Sequence, residues 1–401
     1  MSIKKKKILR ITTVAGTMNV ILKGQLAYLN QSFEVIGATS PFYDYFDEIV
    51  SREGIRLYSV DLTRKITPFR DLKALFKLIY IILKEKPDIV HTQTPKANLI
   101  GILAAFLCMK KVRMLSIVGM PVYNQNNIKG KLLRFLDILS YRMATNIYPN
   151  SKGLLEHYKN MPAARRKIGF IGNGSSNGID FNYFDPKSIS SEVLNEKKKE
   201  TNINENHFVF TFMGRVVNDK GIKELIDAFL NFCDKTEYDN ARLLIIGPLR
   251  DSDDPIPKVY QNFLESHPKI IHVGLQRDVR PYLLLSKVFV FPSYREGLPG
   301  ALIQAGAMGI PMIASDIIGN QEIIEQTSGI LFPVKNADAL ANVMKDIYTN
   351  AVKRESMCKD VRQKMKNLYD QQYYWQSLKE EYEKLLFNKP EKNKFEISIN
   401  K

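Results

Sequence analysis

The stretch KILRITTVAGTMNVILKGQLAYLNQSFEVIGA, residues 7–38, alternates two periodicities. Lys7–Thr13 is a β-rich run ending in a loop that holds Gly16, a candidate ligand-binding residue, Val20–Asn30 has helical spacing, and Phe33–Ala38 is β-rich again. Strand, helix, strand is the repeating unit of a parallel sheet covered on both faces. The alternation continues with a helix from about Pro68 to Lys84, a strand at Asp88–Thr92, a helix from about Lys96, a strand at Val112–Ile117, a helix from about Lys129 and a strand at Asn146–Pro149.

A glycine- and asparagine-rich hinge at 172–178, then Asp185-Pro186 and a Glu/Lys-rich helix, separate this series from a second one. Its strands are His207–Met213, Ala241–Gly247, Ile270–Val273, Val288–Pro292 and Pro311–Ala314. At 401 residues the chain exceeds what one hydrophobic core sustains. The expected fold is therefore α/β, with two Rossmann-like domains, 1–180 and 181–370, facing each other across a cleft. The last long helix, 371–387, is expected to complete the first domain, and the tail from Lys389 to be loose.

Composition excludes other classes. With 45% hydrophobic and 25% charged residues the chain is too apolar for disorder and too polar for a multi-span membrane protein. Its longest apolar run, Leu99–Met109, is about half of the ~20 residues a spanning helix needs. Lys4–Lys7 precede an apolar stretch without a small-residue cleavage site, so no signal peptide is expected. Cys108, Cys233 and Cys358 lack metal or redox spacing and read as buried thiols of a reduced, cytoplasmic compartment. The net charge of +16 is one-sided. Residues 1–180 hold 28 Lys or Arg against 12 Asp or Glu, whereas 181–401 hold 30 of each. Such a field draws an anionic partner to the first half: a membrane leaflet, a pyrophosphate or a nucleic acid.

Open α/β sheets bind ligands outside the carboxyl ends of their strands. Two stretches lie there. In MGRVVNDKG (213–221), Gly214, Arg215 and Lys220 stand between a strand and the helix at Ile222, where two cations beside a helix N-terminus form a diphosphate clamp; from spacing alone a plain surface turn is equally consistent. In PSYREGLPG (292–300), Glu296 is placed to accept hydrogen bonds from sugar hydroxyls. Gly297 completes the turn, and the amides of Leu298 and Gly300 can face a phosphate. Gln304 lies eight residues beyond Glu296, on the same helical face.

These motifs, with the Gly309–Pro311 turn, resemble the retaining family-four glycosyltransferases of the GT-B fold, over essentially the whole chain. The resemblance implies that Arg215 and Lys220 neutralise the donor pyrophosphate, that Glu296 contacts the donor sugar, and that Gln304, commonly Glu in the family, contacts the ribose. HTQTPKANLIG (91–101), SIVGMPV (116–122) and GNGSSNGID (172–180) look like the branch that builds bacterial capsule, O-antigen and related lipid-linked glycans from N-acetylated or deoxyamino sugars such as N-acetyl-fucosamine. Many members carry a histidine before the glycine matching Gly119; here it is Val118, and His91 is the nearest substitute by strand position, with a structural role equally open. The resemblance further implies a UDP-sugar donor, no metal or other cofactor, an undecaprenyl-diphosphate-linked acceptor, and an enzyme peripheral on the inner face of the cell membrane. Asp251-Ser252-Asp253 resembles the metal-holding pair of another transferase fold, but its polar, proline-containing setting reads as a solvated turn.

The basic first half then has a partner in an anionic membrane surface. Within Arg64–Lys86, Arg64, Lys65, Arg70, Lys73, Lys77 and Lys84 alternate with Phe69, Leu72, Phe76, Ile79 and Ile82 as in a basic amphipathic helix. A sugar-nucleotide epimerase has no use for such a face, and aromatic residues are not interleaved with the cations in any recognised RNA- or DNA-binding module, so no nucleic acid is expected. A charge-assisted hydrogen bond contributes ~1.5–3 kcal/mol. Arg215→Ala is accordingly expected to keep the fold and lose roughly ten- to a hundredfold in turnover; near-normal turnover in a steady-state assay would refute the clamp.

Overall fold

The structure, a computed structural model, describes residues 5–41, 43–119, 128–233, 236–249, 254–327 and 329–387. Residues 120–122 of the SIVGMPV stretch, Asp251–Asp253 and the tail from Lys389 lie outside them.

The chain divides into two compact units. The first comprises the described parts of Met1–Asn150, Leu155–Asn177 and Gln372–Lys401; the second comprises those of Ser151–Leu154 and Gly178–Gln371. The strands of the first are β1 (Lys7–Thr12), β2 (Glu34–Thr39), β3 (Arg56–Ser59), β4 (Ile89–Gln93), β5 (Val112–Ile117) and β6 (Asn146–Pro149). Between them run α1 (Gln25–Ser32), α2 (Tyr43–Glu53), α3 (Pro68–Glu85), α4 (Pro95–Leu107) and α5 (Ile128–Met143), followed by α6 (Lys152–Lys159). The second unit has β7 (Phe208–Met213), β8 (Ala241–Ile246), β9 (Ile270–His272), β10 (Val288–Phe291), β11 (Met312–Ser315) and β12 (Ile330–Phe332). Its helices are α7 (Ser191–Thr201), α8 (Ile222–Cys233), α9 (Lys258–Ser266), α10 (Arg280–Leu284), α11 (Gly300–Ala307), α12 (Ile318–Thr327), α13 (Ala337–Thr349), α14 (Ala351–Cys358) and α15 (Val361–Tyr369). The final helix, α16 (Gln371–Phe387), returns to the first unit.

Both sheets are parallel and share one topology, β3-β2-β1-β4-β5-β6 and β12-β11-β10-β7-β8-β9. Each is doubly wound, so each reverses direction once, between β1 and β4 and between β7 and β10. The edge strands β3 and β12 have no counterpart in the sequence reading. Arg56–Ser59 is a partly exposed edge with little apolar signal, and Ile330–Phe332 is three residues long. The helix expected over Val20–Asn30 is two pieces, a π-helical turn at Thr17–Ile21 and α1. Gly24 breaks it: φ is +79°, and a Cβ there would lie 2.8 Å from the Trp375 ring, so only glycine fits. The cysteines also differ from expectation. Each sits at a helix C-terminus, where packing thins, leaving Cys108 and Cys233 half-buried and Cys358 exposed.

Alternation along β1 builds the first unit's two cores. Leu9 and Ile11 face α3 and α4, packing with Ala74, Leu78, Ile81 and Ile100. Ile8 faces the other way, into a core of Leu26, Leu29, Phe33, Trp375, Leu378 and Tyr382. Helix α16 is thus core, not appendage. It is also tied by hydrogen bonds from Trp375 Nε1 to Asn177 Oδ1 (2.6 Å) and from the Tyr148 hydroxyl to Glu381 Oε1 (2.5 Å). Leu378→Ala, which leaves a cavity between helix and sheet, is expected to cost ~2–5 kcal/mol of first-unit stability in chemical denaturation. An unchanged midpoint for that unit's transition would contradict its place in the core.

Candidate active site

In the second unit the winding reversal puts the loops after β7 and β10 side by side. Gly221 fastens them. Its φ of +68° and its approach to Pro292, whose carbonyl oxygen would lie 2.1 Å from any Cβ, admit only glycine. The Tyr294 amide donates to the Asp219 carbonyl (2.9 Å), the Ser293 hydroxyl reaches the same oxygen (3.4 Å), and the Arg295 guanidinium donates to Asp219 Oδ2 (3.2 Å). Gly247, whose Cβ would strike the Gly214 carbonyl at 1.8 Å, ties the loop after β8 to the same place.

Held in this way, Lys220 Nζ lies 2.6 Å from Glu296 Oε1, and the Ser293 hydroxyl donates to that oxygen at 2.9 Å. The lysine and glutamate side chains are 14% and 18% exposed, so the pair is partly desolvated yet reachable. An ammonium has three donors, and one spent on Glu296 leaves others for a phosphate oxygen. Arg215 is exposed, and its side chain makes no hydrogen bond or ion pair with any described residue. Helix α11 begins after Pro299 with no side-chain cap, so its first-turn amides, Gly300 among them, are donors for an anion. Gly214 leads out of β7 and Leu298 is half-buried. Gly297 is buried, its carbonyl against Gly319, and Gln304 is half-buried on α11. Lys220, Glu296, Arg215 and the α11 N-terminus therefore share the carboxyl edge of one sheet. Asp219, Ser293 and Arg295 hold them there and were not among the predicted residues; the only sequence signal was the serine three positions before Glu296.

Gly16 and His91 belong to the first unit. Gly16 follows β1 in a right-handed helical conformation, and a Cβ there would meet only the Tyr45 ring at 3.8 Å. His91 is not at the mouth of its strand but in the middle of β4, 1% exposed, because its register pairs it with Arg10 of β1 and Met114 of β5. Its Nδ1 meets the Arg10 guanidinium and the Tyr382 hydroxyl (2.6 Å), and its Nε2 the Ser116 hydroxyl (2.7 Å). Since arginine only donates, Nδ1 is the acceptor and Nε2 carries the proton. The ring is closed to solvent within the first unit. Thr94, at the first unit's reversal, holds φ +88°, an unfavourable value for a β-branched residue, and its hydroxyl is 2.7 Å from that of Thr13. Val118 lines a small polar cavity beside Gln93, Ser116 and Asn150, at the carboxyl ends of β4–β6.

Comparison with known proteins gives the same class in both halves. Residues 194–365 match the family described as glycosyl transferases group 1, and residues 24–174 match the glycosyl transferase 4-like domain. The capsular polysaccharide biosynthesis glycosyltransferase CapM of Staphylococcus aureus is 29% identical over 96% of this chain and 98% of its own. The UDP-Gal:alpha-D-GlcNAc-diphosphoundecaprenol alpha-1,3-galactosyltransferase of Escherichia coli is 26% identical over 94% of this chain and 95% of its own. Among solved structures, that of Anabaena HepE in complex with UDP-glucose superposes with a TM-score of 0.77 at 17% identity, covering 94% of this chain and 99% of its own.

The buried polar row of the first unit makes stability depend on pH. Burial, reinforced by the Arg10 charge, holds the His91 pKa well below its ordinary 6.5. The folded ring stays neutral while the unfolded one protonates near pH 6.5, so His91's contribution is full above that pH and is lost as pH falls. Asp137, pushed up to about 6 by burial, acts with the opposite sign below that value. Denaturation between pH 7 and 5 is expected to show a His91 component approaching ~1.4 kcal/mol per pH unit, absent in His91→Gln. Equal slopes in the two proteins would show that the ring is not kept neutral.

Proposed function

Because the chain belongs to the glycosyltransferases of the GT-B fold, we propose that it transfers a sugar, with retention at the anomeric carbon, from a UDP-sugar to an undecaprenyl-diphosphate-linked acceptor during synthesis of a bacterial surface polysaccharide. The observation that carries this reading is the Lys220–Glu296 pair at the winding reversal, with Arg215 and the α11 N-terminus on the same edge. The names of the Staphylococcus and Escherichia relatives support the pathway and the acceptor class, and the UDP-glucose complex of the Anabaena structure supports the donor class. An N-acetylated or deoxyamino hexose such as N-acetyl-fucosamine is the proposed sugar.

In this mechanism Arg215 and Lys220 hold the diphosphate, Glu296 accepts hydrogen bonds from the sugar, and Gln304 hydrogen-bonds the ribose without contributing charge. The bond from C1 to the phosphate oxygen breaks, its electron pair leaving with UDP. The acceptor hydroxyl bonds to C1 on the same face and passes its proton to the departing phosphate. Negative charge grows on that phosphate, and the preorganised cations meet it without reorganisation. Lys220, touching both the carboxylate and the phosphate, couples sugar position to charge neutralisation. No metal enters the scheme.

The acceptor brings the enzyme to a membrane. Among the described residues no helix is long and apolar enough to cross one, so contact is proposed to be lateral, through α3. This helix is apolar on two opposite sides. Ala74, Leu78, Ile81 and Ile82 enter the core, whereas Phe69 (87% exposed), Leu72, Phe76 (63%), Tyr80 and Leu83 form an outward stripe flanked by Lys73, Lys77 and Lys84. Ile82, assigned by sequence to the lipid-facing side, is core.

The test is thermal stabilisation of the purified chain by UDP, GDP, dTDP and CMP, without added metal. UDP at a hundredfold excess over its dissociation constant is expected to add ~2.7 kcal/mol, and Lys220→Met to abolish the shift while the ligand-free protein still melts cooperatively. Stabilisation by none of the four would overturn the donor assignment.

A further inference from the structure

The end of the first unit's sheet opposite the ligand-binding edge carries a second feature. The amino ends of β1 and β4 and the carboxyl end of α3 enclose a groove of about 440 Å³ lined by Lys5, Lys6, Lys7, Lys84 and Lys86, with Glu85 and Asp88 the acids among its lining residues. That volume is in the range of ligand sites. The acids are already committed. Buried Glu85 pairs with Lys7 (3.2 Å) and Arg56 (3.2 Å) and accepts from the Tyr58 hydroxyl (2.5 Å); Asp88 pairs with Lys6 (3.1 Å).

Lys5, Lys84 and Lys86 remain without a carboxylate among the described residues. Lys5 Nζ donates to the Asn30 carbonyl, and Lys84 Nζ lies between the Tyr58 and Tyr80 rings, 5.7 and 5.9 Å from their centroids. Lys86 closes α3 in a left-handed turn at φ +51°. The negative end of the α3 dipole, about half an elementary charge, offsets only a fraction of three lysines. What remains is an anion site. Lys84 stands both in this groove and on the flank of the exposed α3 stripe, next to Leu83, so an anion held here has apolar side chains beside it.

We propose that this groove is a headgroup site for an anionic phospholipid, with the phosphodiester among Lys5, Lys84 and Lys86 and the acyl chains along the outward stripe of α3. The proposal rests on the membrane reading above and adds to it a defined place and chemistry.

The full chain is floated with vesicles of phosphatidylcholine, alone or with about one third phosphatidylglycerol. Wild type is expected to prefer the anionic vesicles, and Lys5→Gln/Lys84→Gln/Lys86→Gln to lose on the order of a hundredfold of that affinity. Neutralising Lys159, Arg165 and Arg166, an equal charge change elsewhere on the same unit, is expected to cost little. Phe69→Ser/Phe76→Ser is expected to weaken binding to both compositions. The site is overturned if the control triple loses as much as the groove triple, or if millimolar inorganic phosphate displaces the wild type from vesicles, which would make it a soluble-anion site. Anionic preference retained by the groove triple sinks the site and leaves the membrane reading intact. No vesicle binding by a wild type that is still stabilised by UDP removes the membrane reading and the site with it.

Discussion

Gly221 lies against the Pro292 carbonyl at a distance no side chain permits, and the chemistry of the second unit depends on that approach. Lys220 and Glu296 are 76 residues apart in sequence, and each stands beside an end of the fastening. Were the two loops farther apart, the ammonium and the carboxylate would each be solvated separately, and an exposed ion pair alone is worth too little to draw them together. Backbone contacts decide here, and the charges inherit the geometry. Asp219 serves twice, its carbonyl receiving the Tyr294 amide and its carboxylate the Arg295 guanidinium.

The first unit meets the opposite problem. Arg10, His91 and Gln93 lie at alternate positions of adjacent central strands and so point to one side, toward α16, with no carboxylate among their hydrogen-bond partners. A buried guanidinium is tolerable only if its donors find acceptors. Gln25, Gln93 and the Tyr382 hydroxyl supply them, and the neutral His91 ring passes the chain on to Ser116. Arg10 Nε and Gln93 Nε2 stay without a partner among the described residues. The C-terminal helix is therefore required chemically as well as for its apolar face.

Central strands of the two sheets were legible because burial on both faces leaves near-continuous apolar runs such as FVFTFM and VFVF. Of the four edge strands, β6 and β9 were legible and β3 and β12 were not, the one being partly exposed along its length and the other three residues long. Motif residues after β7 and β10 could be read because strand, loop and helix follow one another in sequence. The supporting groups came from pairings across dozens of residues, and nothing local marks Asp219 or Arg295 as partners. His91 was misplaced because strand ends are uncertain by a residue or two, enough to move a ring from cleft to core. Parity offered a better clue: an arginine and a histidine within two apolar strands must find each other or a partner. In α3 the pattern was read as one apolar face where there are two, because cations flanking the outer stripe suggested a simple division.

Helix α16 closes the first unit from the far end of the chain, and this sets an order on synthesis. The rest of that unit's described structure is complete by Asn177, yet Trp375, Leu378 and Tyr382 emerge roughly two hundred residues later. At ribosomal rates of about 5–20 residues per second, the nascent first sheet waits some tens of seconds with one face only partly covered and a buried-to-be arginine short of its Tyr382 acceptor. The second unit, continuous from Gly178 to Gln371 apart from the short Ser151–Leu154 segment, has all of its sequence available first. The usual amino-to-carboxyl sequence of domain folding is thereby inverted, and the unfinished half of the molecule is the one a holdase would recognise.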